Sequence, residues 1–157
     1  MKVNQKMRSE LKKTLPQVTE LPQELSEILQ MGLCVVDDCV FLLSLSSRDT
    51  NAELHDFPDR TGYECFINSI HIDDYVTCDY LESACVFARE LYLIWRGFGA
   101  LGGVRFMVVK DEFGVLIKFH KIRSGESFFA DDLELYEDAV MVFQNEEVFD
   151  FFREIYT

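Results

Sequence analysis

The sequence predicts an α+β fold. It reads as a single two-layer domain with a mainly antiparallel sheet, a central packed helix over 79–96, and helices at both termini. Three observations predict this. Apolar runs occur in pairs around short polar turns, which favours hairpins over β-α-β crossovers. One segment sustains unbroken helical periodicity, long enough to lie across a sheet. The 157 residues, with 14 Phe, six Tyr and one Trp, fit one well-filled core.

The elements follow in order. A short helix is predicted over 5–14, stopping before Pro16. A second covers 21–31, entering at Pro22 and closing at Gly32, with Leu21, Leu25, Ile28 and Leu29 on one face. Leu33–Val36 and Cys39–Leu43 flank Asp37-Asp38 and read as a hairpin, although its turn lacks glycine. Residues 46–64 are polar and irregular and read as a loop. Tyr63–Ile72 has strand character, carried by Phe66, Ile67, Ile70 and Ile72.

In the 79–96 helix, Leu81, Ala84, Cys85, Ala88, Leu91, Tyr92 and Trp95 recur at i, i+3, i+4, i+7. Glu82, Arg89 and Arg96 fall on the opposite face, and Asp79 with Glu82 makes an acid-initiated capping box. Gly97, Gly99, Gly102 and Gly103 end that helix. A second hairpin follows, Val104–Lys110 and Val115–Ile122 around Asp111–Gly114. Val140–Phe143 is the last strand. Asn145 is placed to cap a final helix whose buried stripe is Val148, Phe151, Phe152 and Ile155.

Composition excludes several functions. Net charge is −13 and the pI near 4.5, which disfavours direct nucleic-acid binding and adsorption to anionic membranes. No stretch approaches a membrane-spanning run or a signal-peptide core, so the expected compartment is the cytoplasm. Cys34, Cys39, Cys65, Cys78 and Cys85 form an odd set with no C-x-x-C pair, which reads as reduced thiols rather than disulfides or a zinc site. Neither metal nor cofactor is expected. The charge is uneven: residues 1–20 carry +3 and the remainder −16, with ten acids and one base in 126–157. The basic start either packs on the acidic body or stands off as a mobile arm.

No convincing catalytic set emerges. The glycines at 97–103 follow a helix and precede a strand, the reverse of a phosphate cradle. No G-x-S-x-G elbow is present. His71 with Asp73 or Asp74 is the most enzyme-like string, since residues 71 and 73 of an extended strand share a side. A small hydrolase or a metal-dependent enzyme would need His55 or His120 beside them. The bland alternative is that Asp73 and Asp74 solvate a strand end.

The segment Lys118–Phe143 is richer. It opens basic, with Lys118, His120, Lys121 and Arg123, and then turns acidic, with Glu126, Asp131, Asp132, Glu134, Glu137 and Asp138. Phe128, Phe129 and Tyr136 are interleaved. Aromatics supply contact area and carboxylates pair with guanidinium groups, so this composition suits a face for a basic protein partner. Glu126, Phe128, Asp131, Asp132, Glu134, Glu137 and Asp138 are therefore the candidate partner-binding residues, with Asp73 and Asp74 as a second patch. The competing reading turns Phe128, Phe129 and Leu133 inward and leaves the acids to solvate a loop.

Phe119-His120-x-x-Arg123-x-Gly125-Glu126-x-Phe128-x-x-Asp131-Asp132-Leu133-Glu134-x-Tyr136 resembles the tail of small bacterial immunity proteins. Those proteins accompany polymorphic toxins, including contact-dependent growth inhibition systems. Asn68–Tyr75 has the same flavour, and the resemblance spans roughly 66–143. It implies a non-enzymatic, stoichiometric inhibitor in the cytosol that binds the C-terminal domain of a cognate toxin, often a basic nuclease. A nucleic-acid-mimic inhibitor or regulatory binding protein unconnected to a secreted toxin would need the same surface.

Overall fold

The computed structural model describes residues 1–14 and 17–151. It is an α+β domain. The main sheet has five antiparallel strands: β1 (Lys2–Val3), β4 (Ser69–His71), β5 (Val104–Lys110), β6 (Val115–Lys121) and β7 (Ala139–Gln144), in the spatial order β1-β7-β5-β6-β4. A separate hairpin, β2 (Leu33–Val36) and β3 (Cys39–Leu42), sits beside it. The helices are α1 (Gln5–Leu11), α2 (Gln23–Gln30), α3 (Leu43–Ser46), α4 (Arg60–Ile67) and α5 (Tyr80–Gly97).

The long helix lies where its periodicity predicts, and packs on one face of the sheet. Leu81, Ala84, Cys85, Ala88, Leu91, Tyr92 and Trp95 are all buried there, against Val104, Phe106 and Val108 of β5 and Met141 and Phe143 of β7. Alternation sends Met107, Val140 and Val142 to the opposite face, where Leu133 covers them and Phe129 and Tyr136 pack against the cluster. The 123–138 segment is thus a lid over the second face of the sheet.

Four local expectations are corrected. Residues 60–67 form a helix, not loop and strand: Asp59 caps it by accepting from the Gly62 amide (2.7 Å), and only Ser69–His71 is extended. Asp79, in a left-handed backbone (φ 54°), makes no side-chain cap; its carboxylate accepts from the Cys78 thiol instead. Glu82 lies inside rather than outside, and accepts from the amides of Gln17 and Val18. Gln144 and Glu147, not Asn145, form the final capping box. Asn145 instead accepts from the Val104 amide at 3.0 Å. Residues 148–151 continue as helix, burying Val148 and Phe151; Phe152 and Ile155 lie outside the described residues.

The glycine-free hairpin turn forms because Asp37 and Asp38 both adopt positive φ (52° and 62°), the geometry of a type I′ turn. The basic start packs on the body. Asn4 is buried and its side chain makes four hydrogen bonds, two of them to the Leu133 and Asp138 carbonyls, while Met7 is fully buried. The five cysteines are free thiols. Burial pushes Cys39 up to about 11 and Cys65 up to about 12, and raises buried Cys85 as well. Cys78 is exposed beside Asp79, whose carboxylate accepts its thiol hydrogen and raises it.

Candidate functional site: an acidic rim at one end of the sheet

Antiparallel register gathers acids that are far apart in sequence. Lys110 of β5 pairs with Val115 and with Ala139, and His71 of β4 pairs with Leu116. One end of the sheet therefore carries the residues after β4, the β5–β6 turn and the residues before β7. Asp73 and Asp74, Asp111 and Glu112, and Glu137 and Asp138 converge there, across roughly 15 Å of strand spacing. In the middle stands Phe113, 78% exposed at the tip of the turn.

The rim is built rather than loose. Asp73 accepts from the Val115 amide at 3.0 Å and sits directly over Gly114, where a Cβ would lie 2.1 Å from its Oδ1. The amides of Gly114 and Phe113 donate to the Asp111 carboxylate (2.9 and 2.8 Å), holding it below the usual carboxylate range and ionised. Asp74, Glu112, Glu137 and Asp138 are exposed. The bases nearby are engaged: Lys110 pairs with Glu10, and Lys6 donates to the Glu137 carbonyl. A shallow groove of about 460 Å³ runs between them and Glu137 and Asp138.

The other predicted residues separate. Asp131, Asp132 and Glu134 are exposed on the lid, but Asp132 caps the Glu134 amide (3.0 Å) and Glu134 accepts from the Gln5 amide at the start of α1 (2.9 Å). Glu126 departs from the expected face. Its carboxylate is turned inward to accept from the amide and hydroxyl of Thr61 (3.1 and 2.6 Å), which anchors the N-terminus of α4. Phe128 is partly exposed but already faces a cation, with Lys118 Nζ 5.7 Å from its ring centre. Phe129 and Leu133 pack inward, as the competing reading expected, whereas Phe128 does not; Tyr136 joins the same cluster.

The three histidines do not meet. His71 is exposed at the end of β4, and Asp73 is committed to Val115 within a 3-10 turn, so the shared extended strand does not exist. His120 is buried, several residues farther along β6, with Nδ1 on the Lys121 carbonyl at 2.8 Å. His55 is exposed between Glu53 and Asp56. Among the described residues, no group of three or more His, Cys, Asp or Glu could hold a metal ion, and no helix is long and apolar enough to cross a membrane.

The model of the uncharacterized protein PM0498 family matches residues 2–154. The chain belongs to that family. It is similar to uncharacterized protein PM0498 of Pasteurella multocida (strain Pm70), with 31% identity over 149 residues, covering 86% of this chain and 89% of that protein. No solved structure matches.

Sequence reasoning missed two parts of this arrangement. Phe113, Asp111 and Glu112 read as an ordinary turn; the signal available was a large aromatic at a turn tip, where nothing can bury it. Glu64 and Asn68 were missed because they lay in a segment read as strand. Both are fully buried, and they stitch the hairpin to the sheet. Glu64 accepts from the amides of Val40 and Lys121 and from Arg123. Asn68 bonds the Leu42 amide and the Val40 carbonyl on one side, and Phe119 on the other.

Proposed function

We propose that this chain is a stoichiometric binding protein for a basic partner, which it engages through the acidic end of its sheet. The observation that carries the reading is the convergence of carboxylates from three chain segments around the exposed Phe113. An aromatic anchor ringed by acids suits a surface rich in arginine and lysine. The net charge of −13 adds fast, electrostatically steered association. The partner we propose is the basic C-terminal domain of a toxin, neutralised one-to-one in the cytoplasm. The resemblance of residues 66–143 to immunity proteins supports that part.

The test uses partner captured from the source cell and identified by mass spectrometry. Its affinity is then measured for the parent and for the triple variant Asp74→Lys, Glu112→Lys, Glu137→Lys, from low to high salt. These side chains are exposed, so folding should hold. Affinity should fall at least tenfold at low salt, chiefly through the association rate, and its salt dependence should flatten. Unchanged affinity and salt dependence would remove the rim from the interface. A partner that keeps its full activity in the one-to-one complex would sink the inhibitor reading.

A further inference from the structure

The β2–β3 hairpin has a second face that the main core does not use. Leu33, Val40 and Leu42 point into the core, whereas Cys34, Val36, Cys39 and Phe41 alternate to the other side. Between that side and residues 50–67 lies a cleft of about 630 Å³, within the usual range of ligand pockets. Phe41, Tyr63, Leu54 and Ile67 supply its apolar walls, and Asp37 and Glu53 its carboxylates. The Tyr63 ring is held in place by a T-shaped contact with Phe41 (centroids 5.4 Å apart, 77°) and by Phe57 (5.2 Å), which in turn packs on Phe66.

Two polar groups in this cleft have no protein partner among the described residues: the Tyr63 hydroxyl and the Asp37 carboxylate. The charges around them are lopsided. Asp37, Glu53 and Asp56 are negative, and the Tyr63 phenol is raised first by burial, then by neighbouring Cys39 and these three carboxylates. Arg60 donates to the Asp37 carbonyl at 2.8 Å. His55 lies between Glu53 and Asp56. An anionic ligand would be repelled, and a purely apolar one would leave the phenol and Asp37 unanswered.

We propose that this cleft is a binding site for an organic cation, a guanidinium or ammonium group carried on an aliphatic stem. The stem would lie along Leu54 and Ile67. The head would meet the Phe41 ring, the Tyr63 hydroxyl, and the carboxylates of Asp37 and Glu53. The site stands apart from the acidic rim: Lys121, which pairs with Asp38 of the hairpin turn at 2.8 Å, is at the opposite end of β6 from Val115. It therefore does not depend on the function proposed above. Such a cation is either a free small molecule or an arginine side chain presented by a protein.

Titration of the full chain with agmatine, and separately with an acetylated, amidated Gly-Arg-Gly peptide, tests this by amide chemical shifts. Saturable one-to-one shifts confined to residues 36–41 and 53–67 are expected. The variant Asp37→Asn/Glu53→Gln, built on exposed side chains, should weaken binding roughly tenfold, and Tyr63→Leu similarly, while Asp74→Asn should change nothing. Agmatine binding at least as tightly as the peptide points to a free cation; a peptide more than tenfold tighter points to a protein's arginine. Absence of saturable shifts with both probes overturns the proposal. So does unchanged affinity in the Asp37→Asn/Glu53→Gln variant, or a neutral alcohol of equal length binding as well as agmatine.

Discussion

Glu64→Gln should be among the most damaging isosteric changes in this chain. The side chain is fully buried, and each of its oxygens serves one backbone amide and one guanidinium nitrogen. Oε1 accepts from Val40 N (2.6 Å) and Arg123 Nη2 (2.7 Å), and Oε2 from Lys121 N (2.7 Å) and Arg123 Nη1 (3.0 Å). A glutamine amide keeps one oxygen but, whichever way it is turned, sets an NH2 against one backbone N–H and one guanidinium N–H. Two donors lose their acceptor, and a largely buried guanidinium loses its nearer counter-charge, keeping only Asp38 at 3.7 Å. Together these should cost about 3–5 kcal/mol, the range for breaking one side of a buried ion pair. Urea unfolding followed by the fluorescence of Trp95, the single tryptophan, is the assay. With a slope of about 2 kcal/mol/M, the midpoint should fall by about 2 M. Amide exchange at Val40 and Lys121 should accelerate, because the carboxylate is what joins hairpin to sheet. Adding Arg123→Met to Glu64→Gln should cost much less than that change alone costs the parent, since the two share one network. A midpoint within about 0.3 M of the parent would refute the assignment of Glu64 as the stitch between the two sheets.

Two further outcomes are expected. Gly114→Ala should lower stability by roughly 1–3 kcal/mol, because its Cβ would displace Asp73 from the Val115 amide; calorimetry should show a lower thermal midpoint, and a shorter side chain at position 73 should restore part of it. His120 is held below the ordinary histidine range by burial, with the Lys121 carbonyl and Glu64 opposing and Arg105 and Arg123 adding to the shift. A depressed folded value means that its contribution is complete above the unfolded value of about 6.5 and is lost as pH falls below it. The unfolding midpoint of the parent should therefore drop more steeply below pH 6.5 than that of His120→Phe, and parallel curves would show that His120 does not titrate against folding.

The elements legible in the sequence are those whose cause is local. The Tyr80–Gly97 helix follows from a repeated apolar spacing, and the 104–121 hairpin from two apolar runs around a short turn. The 33–42 hairpin formed without glycine because two aspartates accept left-handed backbone. The 60–67 segment failed the same reading because much of its buried face is polar: Thr61 and Glu64 are buried beside Cys65, and Asn68 just after the helix is buried too, where hydropathy would never place them. Glu82 misled in the same way, since a helix carboxylate counts as outward until two amides from residues 17 and 18 arrive to meet it. The candidate site was half legible. Asp73, Asp74, Glu137 and Asp138 stand out as charge, but Glu126 is indistinguishable from them in sequence, and only its contact with Thr61 removes it from the surface.

The sequence by itself determined the fold class and the sign of the charge, because each is a sum over residues or a short-range period. The tertiary structure alone decided which acids act together. Antiparallel pairing sets residues 73, 111 and 137 side by side, and no local pattern encodes that register. It also decided which polar groups lie inside, because a carboxylate can be buried only where donors from distant segments converge to replace its water.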